Sequence, residues 1–258
     1  AATLAGALDD GAPDWPPEGP ALAALHARLD YEGLDGALHA HKLAAAQTLL
    51  RLCQRLGCPL LVLDATRLAE SSQDFARIVA DLRKLSMLAV PLGLRIAWRA
   101  HPGAAHARDF MTAADVIQAA ERPNLGLALD VHEWLRADAD LALLEGVDPQ
   151  AIFQVQLADS GLAELPAAGL ADAQRLFPGE GRHATALRQL VARLARAGFA
   201  GHFAFADVRG DVDELPSAAC AARAAASARH LALDVLRRSQ PLTVRRRRTA
   251  PEGISPAS

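Results

Sequence analysis

The sequence predicts an α/β fold, a parallel TIM-type (β/α) barrel with about six recognisable strands that is incomplete at its N-terminus. Two observations support this prediction. Short, continuously apolar runs alternate with longer segments of helical period, which is the pattern of buried parallel strands joined by helical crossovers. A polar residue stands at or near the end of each clear run, and in barrels of this kind the C-terminal strand ends build the active site.

Five strands are clear and a sixth is weaker. The clear strands, each with its polar residue, are Leu60–Leu63 with Asp64, Leu94–Trp98 with Arg99, Leu125–Leu129 with Asp130, Ile152–Leu157 with Asp159, and Phe203–Phe205 with Asp207. The weaker strand covers Ala21–His26. Since a complete barrel has eight strands, two strands are either hidden in the Pro-rich opening Ala1–Pro20 or missing. We expect the first β-α-β portion to be absent from this chain, which leaves two sheet edges to be covered.

Helices are predicted between the strands, because apolar residues recur there at spacings of three and four. They cover Leu43–Leu56, Phe75–Leu85 and Leu187–Leu194, and the last is followed by Gly198. An Ala-rich helix over Ser217–Arg238 closes the series. We therefore expect a barrel domain over residues 1–238 and, over residues 239–258, a disordered basic and Pro-rich tail or a linker.

Composition limits the function classes. The chain has 258 residues, of which 51% are apolar, and a formal net charge of −3, so a nucleic acid is not expected as the main partner. The run Arg245–Arg248 could contact nucleic acid or a membrane surface, but a solvated flank is favoured. No apolar run is long enough to cross a bilayer, so no membrane partner is expected. Three cysteines without a C-x-x-C pair favour a reducing cytoplasm.

Three segments carry a family resemblance. They are Pro123–Asp130 followed by His132, then Ile152–Ser160, then Arg175–Gly181 with its Pro-Gly-Glu-Gly turn. Their order and spacing resemble the xylose-isomerase-like barrels (the sugar phosphate isomerase/epimerase superfamily), and most closely the bacterial 3-dehydroshikimate dehydratases. Some of those enzymes continue into a second domain, so the resemblance also allows a neighbouring domain, or a homo-oligomer, as partner.

The resemblance implies a divalent metal (Mg, Mn or Co) held by Glu, Asp, Gln and Glu at four strand ends, where it acts as a Lewis acid. Asp130 and Gln156 match two of these ligands, whereas Arg99 and Ala206 stand where the glutamates are expected. We therefore expect the metal to be bound weakly or not at all. One hypothesis is that Arg99 pairs with Asp130 and occupies the place of the cation; the alternative is that Arg99 turns outward into solvent.

Further site residues follow from the same resemblance. Arg175 matches an arginine that could grip a substrate carboxylate, although it could equally form a loop ion pair. Arg99 is a second candidate for substrate binding. His106, His132 and Arg175 are the candidate catalytic residues, although a lone loop histidine is more often solvated.

Two readings of the function follow. The favoured one is a divergent, catalytically impaired relative of the 3-dehydroshikimate dehydratases and sugar phosphate isomerase-epimerases. In its strongest form, this is a non-catalytic barrel that serves as a folding, regulatory or assembly partner. The alternative is an active metal-dependent lyase or isomerase on a small polyhydroxylated acid or sugar, for instance converting 3-dehydroshikimate to protocatechuate. That activity would need replacement ligands such as His132, Glu133 or Asp207.

Overall fold

A computed structural model describes residues 21–162, 175–205 and 215–237. The strands are β1 (Leu25–Ala27), β2 (Leu60–Asp64), β3 (Arg95–Arg99), β4 (Leu125–Asp130), β5 (Ile152–Leu157), β6 (Asp159–Ser160), β7 (Arg175–Leu176) and β8 (His202–Phe205). The α-helices are α1 (Gly36–Arg55), α2 (Phe75–Ala89), α3 (Phe110–Ala120), α4 (Val131–Arg136), α5 (Ala184–Ala197) and α6 (Ser217–His230). Short 3₁₀ turns cover Val90–Leu92, Leu141–Gly146 and Pro149–Ala151, and a π-helical turn, Leu231–Leu236, follows α6.

Six of the strands form one parallel sheet in the order β1-β2-β3-β4-β5-β8. Helices pack around this curled sheet, so the architecture is that of an incomplete α/β barrel, as predicted. The five clear strands lie where the apolar runs placed them. The sixth is shorter than predicted, because only Leu25–Ala27 are in register with a neighbour, against Leu61–Leu63 of β2.

Several elements were absent from the sequence prediction. Helices α3 and α4 follow β3 and β4, and the strands β6 and β7 form a separate antiparallel pair. The last predicted helix changes at His230 from α-helical to π-helical hydrogen bonding. None of the described helices is long and apolar enough to cross a membrane.

The sheet separates two apolar clusters. The larger one lies between the sheet and the helices. The smaller one lines the inner side of the curved sheet and consists of Leu60, Val62, Ala97, Ala128 and Phe153, with Ala24 packed against it. Side chains alternate between the two faces of a strand. The residues two positions after Ala24, Val62, Ala97 and Ala128 therefore also point to the inner side of the sheet, at the C-terminal ends of the strands.

Candidate functional site

Five consecutive strands of the sheet each place one polar side chain on the inner face near their C-terminal ends. Asp64, Arg99 and Asp130 are the last residues of β2, β3 and β4, and each follows an inward-facing residue by two positions. His26 of β1 stands in the same relation to Ala24, and Gln156 lies opposite Asp130 in the register of β4 and β5. The alternation of the strands therefore gathers these side chains at one end of the barrel.

Arg99 is at the centre of this group and is only 5% exposed. Its Nε donates to Asp64 Oδ1 at 2.7 Å. Its Nη1 donates both to Asp130 Oδ2 at 3.2 Å and to Gln156 Oε1 at 2.5 Å. The contact between Arg99 and Asp130 is therefore present, and the alternative in which Arg99 turns outward is wrong.

A second buried cation, Arg175, reaches the same carboxylate from β7. Its Nη1 lies 3.1 Å from each oxygen of Asp130, and its Nη2 donates to Glu133 Oε1 at 3.1 Å. The other oxygen of Glu133 accepts from Arg136 Nε at 2.7 Å. Asp130 Oδ1 also accepts from the backbone N–H groups of the first turn of α4, as an N-cap does. Cations and carboxylates thus alternate across the end of the barrel.

The turn after β7 is held by one fully buried carboxylate, that of Asp159. Its oxygens accept four backbone N–H groups, those of Ser160, Gly179, Gly181 and His183, at 2.8–3.2 Å. Gly181 has no room for a side chain, because an added Cβ would overlap the carboxylate itself. The Asp159 carboxylate therefore stabilises the Pro-Gly-Glu-Gly turn, and with it the position of β7, the strand that carries Arg175.

The acidic members of the group are held ionised by their neighbours. Burial alone raises the pKa of Asp64, but hydrogen bonds from His26 and Arg99 and the charge of Arg99 outweigh it and hold the pKa well below its ordinary value. Burial also opposes ionisation of Glu133, yet its contacts with His132 and Arg136 and the charges of Arg136 and Arg175 lower its pKa to about 2.

Of the two candidate catalytic histidines, His132 lies beside Glu133 at the edge of this network. His132 is fully buried, and neither of its ring nitrogens has a hydrogen-bond partner within the described part of the chain. Its Nδ1 is 3.9 Å from Glu133 Oε1, which is beyond hydrogen-bond range. His106 lies in the loop after β3, with its ring centroid 6.3 Å from that of Phe75. Ala206, the position of the last expected glutamate, and the neighbouring aspartate at 207 lie outside the described residues.

The described residues do not fit a divalent cation at Asp130. Arg99 binds the oxygen atoms of both predicted ligands, and Arg175 binds both oxygens of Asp130. A dication there would lie beside two guanidinium groups, and each pair of unit charges about 4 Å apart costs about 4 kcal/mol at an effective dielectric near 20. Within residues 21–162, 175–205 and 215–237, no three His, Cys, Asp or Glu residues are arranged to hold a metal.

Sequence reasoning missed His26. Its Nε2 lies 2.8 Å from Asp64 Oδ1, the same oxygen that accepts from Arg99. Metal-ligand spacing gives no reason to single out this histidine. The only signal was its place at the end of a weak strand, two residues after an inward-facing alanine.

Residues 19–231 match the family described as Xylose isomerase-like TIM barrel. The chain belongs to this family. Over 152 residues it is 30% identical to 3-dehydroshikimate dehydratase of Pseudomonas aeruginosa, a match that covers 59% of this chain and 24% of the relative. It is also 30% identical to inosose isomerase of Halalkalibacterium halodurans over 122 residues, or 46% of this chain and 42% of the relative. The chain therefore matches about a quarter of the dehydratase's length.

Solved structures of xylose-isomerase-like barrels share the fold. A xylose isomerase-like TIM barrel/4-hydroxyphenylpyruvate dioxygenase fusion protein superimposes with a TM-score of 0.76 at 24% identity, covering 84% of this chain and 34% of that chain. IOLI protein with a binding zinc atom gives 0.72 at 22% identity, covering 85% of this chain and 78% of that chain. At such identities the likeness concerns the fold.

Proposed function

We propose that this chain is a catalytically impaired xylose-isomerase-like barrel in which the Arg99 guanidinium replaces the divalent cation. The observation that carries the proposal is that one atom, Arg99 Nη1, hydrogen-bonds the carboxylate of Asp130 and the amide oxygen of Gln156 together. Relatives in this family include a dehydratase and isomerases of sugar-like compounds, so a small polyhydroxylated acid or sugar remains the expected class of ligand.

The electrostatic balance supports this replacement. Arg99 and Arg175 are buried beside three carboxylates, those of Asp64, Asp130 and Glu133. Breaking a buried ion pair by removing one partner typically costs about 3–5 kcal/mol. A dication could reach Asp130 only by displacing both arginines from it, so the network itself opposes metal binding.

The alternative is an active metal-dependent lyase or isomerase that uses replacement ligands. It is less well supported, because Glu133 is held by Arg136 and Arg175, and because His132, in the first turn of α4, is fully buried. The domain boundary near residue 238, the tail or linker that follows it and the cytoplasmic location stay predictions from the sequence.

The test is calorimetric titration with Mn²⁺ of the wild-type protein, Asp130→Ala, Arg99→Glu and the double variant. We expect no micromolar binding to the wild type. Arg99→Glu reverses the central charge and restores the carboxylate that the resemblance predicts, so it should gain Mn²⁺ binding that the added Asp130→Ala abolishes. Arg188→Glu, an equal charge change at an exposed position of α5, should gain none.

Micromolar binding of Mn²⁺ to the wild type that is lost in Asp130→Ala would overturn the proposal. In that case formation of protocatechuate from 3-dehydroshikimate, with and without Mn²⁺, would test the alternative. Circular dichroism shows whether each variant folds. If Arg99→Glu does not fold, the comparison of the wild type with Asp130→Ala still decides the matter.

A further inference from the structure

The C-terminal end of α1 is closed by a cap that brings two cysteines together. Gly57 follows the C-cap residue Leu56 and lies in the left-handed region, with a φ of 62°. The Cys58 N–H donates to the Cys53 carbonyl oxygen at 2.8 Å, and the Gly57 N–H donates to that of Gln54 at 3.1 Å. These two hydrogen bonds define the Schellman motif, in which the side chains of the first and the last residue of the cap pack against each other. Both of those side chains are thiols in this chain.

The two sulfur atoms are in direct contact. Cys53 and Cys58 are both free and buried, and their side chains hydrogen-bond each other. A disulfide forms only between cysteines whose backbones lie close together and whose side chains point toward each other. Because the cap already places the sulfurs side by side, a bond between them needs no large movement of α1 or of β2.

The two thiols differ in acidity. The hydrogen bond with Cys53 lowers the pKa of the Cys58 thiol, and backbone hydrogen bonds at Leu60 and Leu25 add to this effect, whereas burial opposes it. The same contact with Cys58, together with burial, raises the pKa of the Cys53 thiol. The thiolate is the form of cysteine that reacts with oxidants. Cys58 is therefore the more reactive of the two sulfurs.

The pair lies just beneath the surface, at the end of the barrel opposite the network of ion pairs. Cys58 precedes the first residue of β2, whereas Asp64 of the network is the last residue of that strand. Helix ends open locally more readily than the core of a protein, so a small oxidant can reach the sulfurs when this cap opens. The residues around the two cysteines are exposed, namely Gln54, Arg55, Gly57 and Pro59.

We propose that Cys53 and Cys58 are a redox-active pair that a hydroperoxide such as H₂O₂ converts to a disulfide. The Cys58 thiolate attacks one peroxide oxygen, so that an S–O bond forms and the O–O bond breaks. Cys58 becomes a sulfenic acid, and the other oxygen leaves as hydroxide and takes up a proton to form water. The Cys53 thiol then attacks the Cys58 sulfur: the S–S bond forms, the S–O bond breaks, and a second water leaves with the Cys53 proton. The two sulfurs lose two electrons, the peroxide gains them, and a dithiol reductant reverses the change.

The test treats the full chain with H₂O₂ and analyses the monomeric protein, separated on a non-reducing gel, by mass spectrometry after trypsin digestion. Arg55 lies between the two cysteines, so after trypsin cleavage only a disulfide keeps Cys53 and Cys58 in one product. We expect this linked product to appear with the loss of two hydrogen atoms and to disappear after treatment with dithiothreitol. Cys220 is the more exposed cysteine, yet it should stay reduced at the peroxide dose that oxidises the pair. Cys220→Ala should behave like the wild type.

Two alanine variants separate the roles of the sulfurs. Dimedone, which labels sulfenic acids, should mark Cys58 in Cys53→Ala and should leave Cys53 unlabelled in Cys58→Ala. The inference is overturned if the wild type forms no linked product, if Cys220 is oxidised before the pair, or if dimedone marks Cys53. Should an alanine variant fail to fold, the comparison of the pair with Cys220 in the wild type still decides. None of these outcomes depends on Mn²⁺ binding, so this inference and the proposed function fail separately.

Discussion

Glu32 offers a quantitative test of the electrostatics of the loops around the site. It lies between β1 and α1, is 2% exposed, and its Oε1 accepts from the backbone N–H of Thr66 at 2.5 Å. Burial raises the pKa of Glu32 to about 7; the nearby Asp30 and Asp81 add to the rise, and the Thr66 hydrogen bond opposes it. The Glu32 carboxyl group accepts a hydrogen bond from the backbone of Thr66, two residues after Asp64. A charge on Glu32 therefore lies close to the site.

The sign and size of the effect follow from linkage. The pKa of Glu32 rises from its ordinary value of 4.5 to about 7 in the folded chain. At about 1.4 kcal/mol per pKa unit, this difference changes the free energy of unfolding by about 3 kcal/mol. Below about pH 4.5 the group is protonated in both the folded and the unfolded chain, and its burial costs no ionisation energy. As pH rises through 7 the buried group must ionise, so that part of the stability is lost.

The perturbation is Glu32→Gln, which keeps an oxygen for the Thr66 N–H and removes the charge. Urea unfolding at pH 5 and at pH 8 gives the free energy of unfolding of the variant and the wild type. The variant's advantage over the wild type should grow by roughly 2–3 kcal/mol between the two pH values. Glu70→Gln, the same change at an exposed position, should show no such growth. An equal difference between Glu32→Gln and the wild type at both pH values would refute the reasoning.

Three further predictions concern Arg175 and the turn that holds it, all measured by urea unfolding at pH 7. Arg175→Met should lower the free energy of unfolding by about 3–5 kcal/mol, because the buried carboxylate of Asp130 and the partly exposed one of Glu133 lose a shared cation; the exposed Arg188→Met should change it by less than about 0.5 kcal/mol. Asp159→Asn should cost at least about 2 kcal/mol, since its amide N–H₂ would face backbone N–H groups that now donate to a carboxylate; a variant as stable as the wild type would contradict that role. Gly181→Ala should cost about 1–3 kcal/mol through overlap with neighbouring oxygens, while Gly146→Ala, where a Cβ meets nothing within 4 Å, gives the baseline.

Local pattern determined most of the fold. Runs such as Leu60–Leu63 and Leu125–Leu129 are apolar without alternation because both faces of these strands are buried. The spacing of apolar residues in helices α1, α2 and α5 was equally easy to recognise in the sequence. The sequence analysis did not predict the 11-residue helix α3. It also missed the short elements: α4 has six residues, and β6 and β7 have two each. Segments of that length carry too few residues to show a period, and what stabilises them is a contact with a distant part of the chain.

The same division applies to the site. The sequence by itself determined which residues stand at the strand ends, and it showed that Arg99 replaces a carboxylate expected from the family resemblance. Only the tertiary structure decided that Arg99 points inward to Asp64, Asp130 and Gln156, and that His26 joins Asp64. The physical reason is that strand positions follow from the chain's own hydrophobic pattern, whereas the partners of a buried charge lie 31 to 57 residues away and meet it only when the sheet curls.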